Sequence, residues 1–271
     1  MEIRFWGVRG SVPCAGAQYL NFGGHTSCTT ITIGKTLIIC DAGTGIFDAG
    51  EWIKSQGWSS AHLFLSHAHL DHVMGYPFFA PAWEPSFKLN VYAGYLEPYG
   101  GFEGFLLSKL YEPLFPVPLN SMGAQTYYHD IKAGDSLSLE GGIEVATVAL
   151  CHPGGSLGYR FTAAGKSICY VTDTEHTPGR LDETILALIK GADLVIYDAS
   201  YTEEEFRSKD GWGHSTWQEG IRLCQQADAK RLALYHHAPH HADEIMETIE
   251  QQAKEKWDSA FAARQGMVIK I

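Results

Sequence analysis

Residues 63–79 read LFLSHAHLDHVMGYPFF, and three histidines and an aspartate stand within six of those positions: His67, His69, Asp71 and His72. Imidazole nitrogens and carboxylate oxygens are first-choice ligands for zinc and its first-row neighbours. The apolar run before them, "HLFLS" at 62–66, reads as a strand. In extended chain His67 and His69 point to the same side, because side chains alternate with period two. A turn into a helix at 70–74 would present Asp71 and His72 from its first turn. Such groups at the end of a buried strand cost desolvation energy unless a partner such as metal compensates them. A chance histidine run in a hydrated loop is therefore the weaker reading. One metal ion would not need the last histidine, so two ions can draw ligands from this segment.

One segment cannot complete two coordination shells, and other strand-like runs end in suitable residues. His152 follows "ATVAL" and precedes a Pro-Gly-Gly turn, Asp173 follows "ICYV", and His236 and His237 follow "RLALY". Singly, each would more often serve a cap or turn; with the histidine cluster they form a set. In a strand His236 and His237 face opposite sides, so only one can join it, and strand-end geometry favours His236. Asp41 in "CDAGTG" either accepts a hydrogen bond from a ligand imidazole or shapes a turn. Asp198 in "IYDAS" invites the same choice, with the turn role the commoner. In "GWGHSTWQEG" (211–220) Ser215 and Gln218 have capping-box spacing, and His214 stands directly before the box. Cys151 would face away from His152, and His176, His240 and His241 are expected at the surface or behind the ligands.

The elements that must position these residues are legible in outline. Strands are predicted at 2–6, 28–34, 36–43, 62–66, 143–150, 158–164, 167–173, 193–199, 231–236 and 267–271. Helices are predicted at about 44–56, 181–190, 215–228 and 242–257. Residues 76–127 form an insertion rich in proline and aromatics ("YPFFAPAWEP", "YEPLFPVPLN"), with a short strand "KLNVYA" and a helix near 102–111. Long elaborated loops of this kind often carry specificity. Its Tyr76, Phe78, Phe79 and Trp83 would either stack on a base or belong to a core or dimer contact. No repeat and no linker divides the chain, which predicts a single domain over 1–271.

With 271 residues, 45% apolar and 19% charged, the composition is that of an ordinary globular protein. Twenty Lys and Arg against 31 Asp and Glu give a formal charge of −11. That balance repels phosphate backbones, so long nucleic acid is excluded as a partner and a small-molecule substrate is expected. The six cysteines are scattered without a CxxC pair, and no apolar run suits a membrane span or leader. A reduced, cytoplasmic protein without membrane contact is expected.

The order HxHxDH, strand-end His, strand-end Asp, final strand-end His resembles the metallo-β-lactamase superfamily over most of the chain. "FWGVRGSVP", "TSCTTI…LIICDAGTG" and "GHST" before the last histidine make it most similar to the ribonuclease Z-like phosphodiesterase branch. The resemblance implies an α+β fold, a four-layer αββα sandwich, with a dimetal site at one edge of the sheets. It implies two divalent ions, zinc foremost with manganese or iron as alternatives. His67, His69 and His152 would hold one ion and Asp71, His72 and His236 the other, with Asp173 bridging. His214, with Asp71, would be catalytic, assisting the scissile phosphate or its leaving oxygen while a hydroxide held between the metals attacks phosphorus. Members of this branch are often homodimers. The segment 76–127 carries few basic residues, which speaks against tRNA and for a small phosphodiester such as a cyclic nucleotide. The competing readings are a thioesterase or lactonase-type hydrolase of the same fold, and a non-catalytic metal-binding protein.

Overall fold

Continuous apolar runs such as "TLIIC" and "LVIYD" can only be satisfied by burial on both faces, and the chain stacks them into two sheets. A computed structural model describes residues 1–110 and 114–271. The first sheet takes β1 (Glu2–Gly7), β2 (Cys28–Ile33), β3 (Thr36–Cys40), β4 (Ser60–Phe64), β5 (Lys88–Ala93) and β6 (Gln125–Asp130). The second takes β7 (Ser136–Leu139), β8 (Ile143–Leu150), β9 (Ser156–Ala163), β10 (Lys166–Val171), β11 (Leu194–Asp198), β12 (Leu232–Tyr235) and β13 (Ala260–Ala262). The last strand, β14 (Val268–Lys270), returns to the first sheet beside β1, giving orders β14-β1-β2-β3-β4-β5-β6 and β13-β12-β11-β10-β9-β8-β7. Each sheet is antiparallel up to one strand, β3 or β10, and parallel beyond it. Parallel strands present their carboxyl ends together, and ligands bind off those ends in α/β sheets.

Three cores make four layers. Phe5, Phe64, Tyr159, Phe161, Tyr170 and Tyr235 fill the space between the sheets. Helix α1 (Ile46–Ser55) lays Ile46, Ala49 and Ile53 on the outside of the first sheet. Along the rest of the chain come α2 (Leu70–Val73), α3 (Gly101–Phe105), α4 (Glu183–Ile189), α5 (Glu203–Phe206), α6 (Trp217–Gln226) and α7 (Asp243–Lys256). Apolar residues of α4, α6 and α7 cover the second sheet. The αββα sandwich is as expected.

Three strands, β6, β7 and β13, were not anticipated. All lie at free edges of the two sheets; half-exposed "QTYYHD" and "SLSL" lack the apolar signal of a central strand, and "AFA" is only three residues long. The helix expected near 102–111 is found over the described residues as α3 followed by a π-helical stretch over Leu106–Leu110; Tyr111, and with it Glu112 and Pro113 of "YEPLFPVPLN", lie outside the described residues. Within 76–127, β5 is an interior strand of the first sheet, paired with β4 and β6. Tyr76 and Phe79 belong to the core beneath α1, which removes them as base-stacking groups. Trp83 is half-buried, its indole N–H donating to the Pro77 carbonyl (3.1 Å), and Phe78 is exposed.

Candidate metal centre

The loops that carry these residues meet where the carboxyl ends of the two sheets face each other. After β4 the chain stays extended through His69 and then turns into α2. This brings the His67 and His69 rings to 4.4 Å between centroids and buries Asp71 and His72. His152 follows β8, and its ring centroid lies 4.6 Å from that of His67. Asp173 follows β10 and His236 follows β12, each with positive φ, at 57° and 60°. Non-glycine residues rarely adopt that conformation, and where they do it is often at functional sites. It swings both side chains out of their strands into the space between the sheets.

Asp173 stands at the centre. Its Oδ1 lies 3.8 Å from Nε2 of His67, 3.9 Å from Nε2 of His152 and 3.4 Å from Nε2 of His236. Its Oδ2 lies 3.2 Å from Nε2 of His72. Asp71 Oδ2 is 3.2 Å from His236 Nε2 and 3.3 Å from His72 Nε2. On the other flank His69 Nδ1 is 3.0 Å from His152 Nε2. The seven sequence candidates thus fall into two groups, His67, His69 and His152, and Asp71, His72 and His236, with Asp173 between them. His237 is not part of this gathering: its Nε2–H donates to the Ala263 carbonyl (2.8 Å).

A layer of hydrogen bonds fixes the rings. Asp41, also at positive φ (62°), accepts from Ser66 N–H (2.7 Å), His72 Nδ1–H (2.8 Å) and the Tyr170 hydroxyl (2.8 Å). The Ser66 hydroxyl donates to Asp41 and lies 3.1 Å from His67 Nδ1, so one aspartate orients rings of both groups. The second sheet repeats the device. Asp198 accepts from the Ser200 hydroxyl (2.8 Å), Ser200 Oγ lies 3.0 Å from His236 Nδ1, and Asp173 N–H donates to Asp198 (3.1 Å). Asp198 also holds His214 Nδ1–H at 2.9 Å. It therefore supports the site, a role its strand-end position only hinted at. His152 Nδ1–H donates to the Gly213 carbonyl (2.7 Å).

The N-terminal loop is a participant that sequence reasoning missed. Ser11 N–H donates to Asp71 Oδ2 (2.6 Å), and a Cβ on Gly10 would lie 2.3 Å from the His236 ring. Buried Arg9 anchors that loop on the carbonyls of Gly23 (2.7 Å) and His241 (2.6 Å). The signal was "VRGS", a glycine beside a buried arginine.

The helix cap is one residue later than expected. Thr216, not Ser215, caps α6, accepting from Glu219 N–H (3.2 Å). The Ser215 hydroxyl is occupied by His176 (2.8 Å) and Tyr197 (2.9 Å). His176 is buried, as is His241; His240 and His241 both converge on Glu205 Oε1.

The donor set fits bound cations. Asp41, Asp71, Asp173 and Asp198 are all buried, and every ion-pair partner found for them among the described residues is an imidazole. Two divalent cations would balance four formal negative charges that no Lys or Arg is placed to meet. Burial holds His67, His69 and His152 below the ordinary imidazole range, neutral as ligation requires. His67 Nε2 is buried without a hydrogen-bond partner, as a ligand nitrogen would be. For His72, burial is outweighed by Asp173, Asp71 and Asp41, which push it upward: the site calls for positive charge at that point. Burial works against the His214 cation too, but Asp198 raises it to about 9.

Comparison with known proteins gives a consistent picture. Residues 36–237 match the family model described as the beta-lactamase superfamily domain. Ribonuclease Z of Haloferax volcanii is 25% identical, the alignment covering 94% of each chain. Among solved structures, the metallo-beta-lactamase fold protein YhfI from Bacillus subtilis is 18% identical with a TM-score of 0.75, covering 99% of this chain and 98% of that one. The short form of human tRNase Z is 20% identical with a TM-score of 0.70, covering 100% and 99%.

Proposed function

The chain belongs to the beta-lactamase superfamily and is a metal-dependent hydrolase, and we propose that it uses a dinuclear centre to cleave a small phosphodiester, such as a cyclic nucleotide. His67, His69 and His152 would hold one cation, Asp71, His72 and His236 the other, and Asp173 would span them. A donor set of imidazoles and carboxylates without cysteine suits zinc, with manganese or iron as alternatives. When bound, the two cations supply Lewis acidity to phosphoryl oxygens and make water acidic enough to attack at neutral pH.

The chain's own residues supply the rest. Asp198 accepts His214 Nδ1–H at 2.9 Å, which fixes the ring and leaves Nε2–H to protonate the leaving oxygen. Ser11 N–H holds Asp71 in place. The Asp198–His214 pair carries the reading: an alkoxide leaving group needs a proton donor, whereas the thiolate leaving group of a thioester does not. Against a long polyanion stands the charge of −11, and a small diester is compatible with it because the cations would be local to the site. The name ribonuclease Z borne by the Haloferax relative favours the second reading, an RNA phosphodiester.

Turnover of bis(p-nitrophenyl) phosphate by protein loaded with zinc or manganese tests the proposal. Wild type is expected to hydrolyse it and His67→Ala to lose activity together with metal; His214→Ala should retain metal and lose far more activity on a cyclic nucleotide, whose alkoxide needs a proton, than on this ester, whose nitrophenolate does not. Cleavage of a thioester or lactone with the diester left intact would sink it. Turnover of pre-tRNA far above that of small diesters would favour RNA.

A further inference from the structure

Three loops that touch the metal centre each expose a large apolar side chain beside the residue that makes the contact. Val12 (50% exposed) follows Ser11, whose N–H reaches Asp71; Leu70 (56%) lies between His69 and Asp71; Trp212 (58%) lies between Gly211 and Gly213. Exposed apolar groups gathered at the mouth of a polar site mark a place for the apolar part of a ligand.

Trp212 is held more firmly than exposure alone would suggest. Gly211 N–H and Gly213 N–H donate to the two oxygens of Glu175, at 2.9 and 2.6 Å. The Gly213 carbonyl receives His152 Nδ1–H, and the next residue, His214, is fixed by Asp198. Both glycines have positive φ, 79° and 80°, which folds the loop tightly around the tryptophan. Trp212 N–H donates to the Lys209 carbonyl (3.1 Å), and the Lys209 ammonium lies 4.1 Å from the Trp212 ring centroid. The same ammonium is 5.9 Å from the ring of Tyr201, which stands edge-on to His214 at 6.0 Å. A cation on one face of an indole whose flanking backbone is pinned leaves the other face for a flat ring, two residues along the chain from the one assigned to the leaving oxygen.

We propose that Trp212, with Lys209 behind it, forms a subsite that stacks a heteroaromatic group of the substrate, so that the preferred diester is a nucleoside ester rather than an alkyl one. This rests on the phosphodiester reading for where the phosphorus sits. Base stacking on an aromatic side chain is sequence-tolerant, so the subsite selects for a base without choosing strongly among bases.

The test compares adenosine 3′,5′-cyclic phosphate with trimethylene phosphate, six-membered cyclic diesters that share an alkoxide leaving group and differ in carrying the base. Wild type is expected to favour the nucleoside ester in kcat/KM. Trp212→Ala should shrink that preference by about tenfold, mostly through KM, and Trp212→Phe should restore most of it. Calorimetric titration of the metal-loaded protein with adenosine 5′-monophosphate is the second readout, with Kd expected to rise about tenfold in Trp212→Ala. If neither diester is cleaved but the Kd shift is seen, the subsite stands and the phosphodiesterase reading fails. If both diesters are cleaved with a ratio that Trp212→Ala does not change, the subsite is overturned and the phosphodiesterase stands.

Discussion

Aspartates 41 and 198 each sit one bond away from the ligand candidates, and each controls what an imidazole can do. Asp198 holds the His214 cation up to about 9 against the pull of burial. A group raised in the folded state adds stability that is complete below its ordinary value near 6.5 and is lost as pH climbs through about 9. The same proton is the one offered to the leaving oxygen, so the activity of wild type should decline on the basic side as His214 loses it. Asp198→Asn removes the charge, and the basic limb of the kcat profile is expected to move toward lower pH; a limb that stays put would mean another group donates the proton. Ser66 links Asp41 to His67, so Ser66→Ala should weaken metal binding by about 10- to 100-fold in a chelator competition, with Ser66→Thr close to wild type. The ligand candidates were legible because HxHxDH compresses four of the seven into six positions and the other three follow strand-like runs. Asp198 was not, since an aspartate after a strand is ordinary turn chemistry and only the fold brings it to His214. The choice of His236 over His237 turns on a backbone φ of 60°.

Loops at the carboxyl ends of the strands do the positioning, and their tolerances are tight. A Cβ on Gly213 would stand 2.3 Å from His152 Nδ1, at a φ of 80° that disfavours any side chain. Gly213→Ala should therefore displace His152 and His214 and cut turnover by about 10²-fold while the fold persists, which circular dichroism beside the assay would show. Thr216→Ala removes the cap of α6 and should cost about 1 kcal/mol in a urea melt, whereas Ser215→Ala would leave that cap intact. Interior strands were read well because their buried apolar residues recur in runs or in alternation; β5 and β8 match "KLNVYA" and "IEVATVAL" residue for residue. The edge strands β6 and β7 were missed for the converse reason, and β13 because three residues carry no pattern. The capping residue slipped by one because Ser215 and Thr216 both have the chemistry, and only tertiary contacts with His176 and Tyr197 claim the first. Trp212 could not have been singled out from sequence, because its setting depends on Glu175 reaching both flanking glycines.

Across the whole molecule, two half-antiparallel, half-parallel sheets point their carboxyl ends at one line, and the chain collects four buried aspartates and a ring of imidazoles there. No described helix is long and apolar enough to cross a membrane. Such a concentration of buried charge ties stability to bound cations. Stripping metal with a chelator should lower Tm by about 10 °C, and returning zinc should restore it. An unchanged Tm would indicate that the aspartates are satisfied by imidazolium ions alone. The central claim, a dinuclear hydrolytic centre, is tested most directly by titrating zinc or manganese into stripped protein while following bis(p-nitrophenyl) phosphate turnover. Activity is expected to stay low through the first equivalent, to rise with the second and to level off there; saturation at one equivalent, or full loading without turnover, would contradict it.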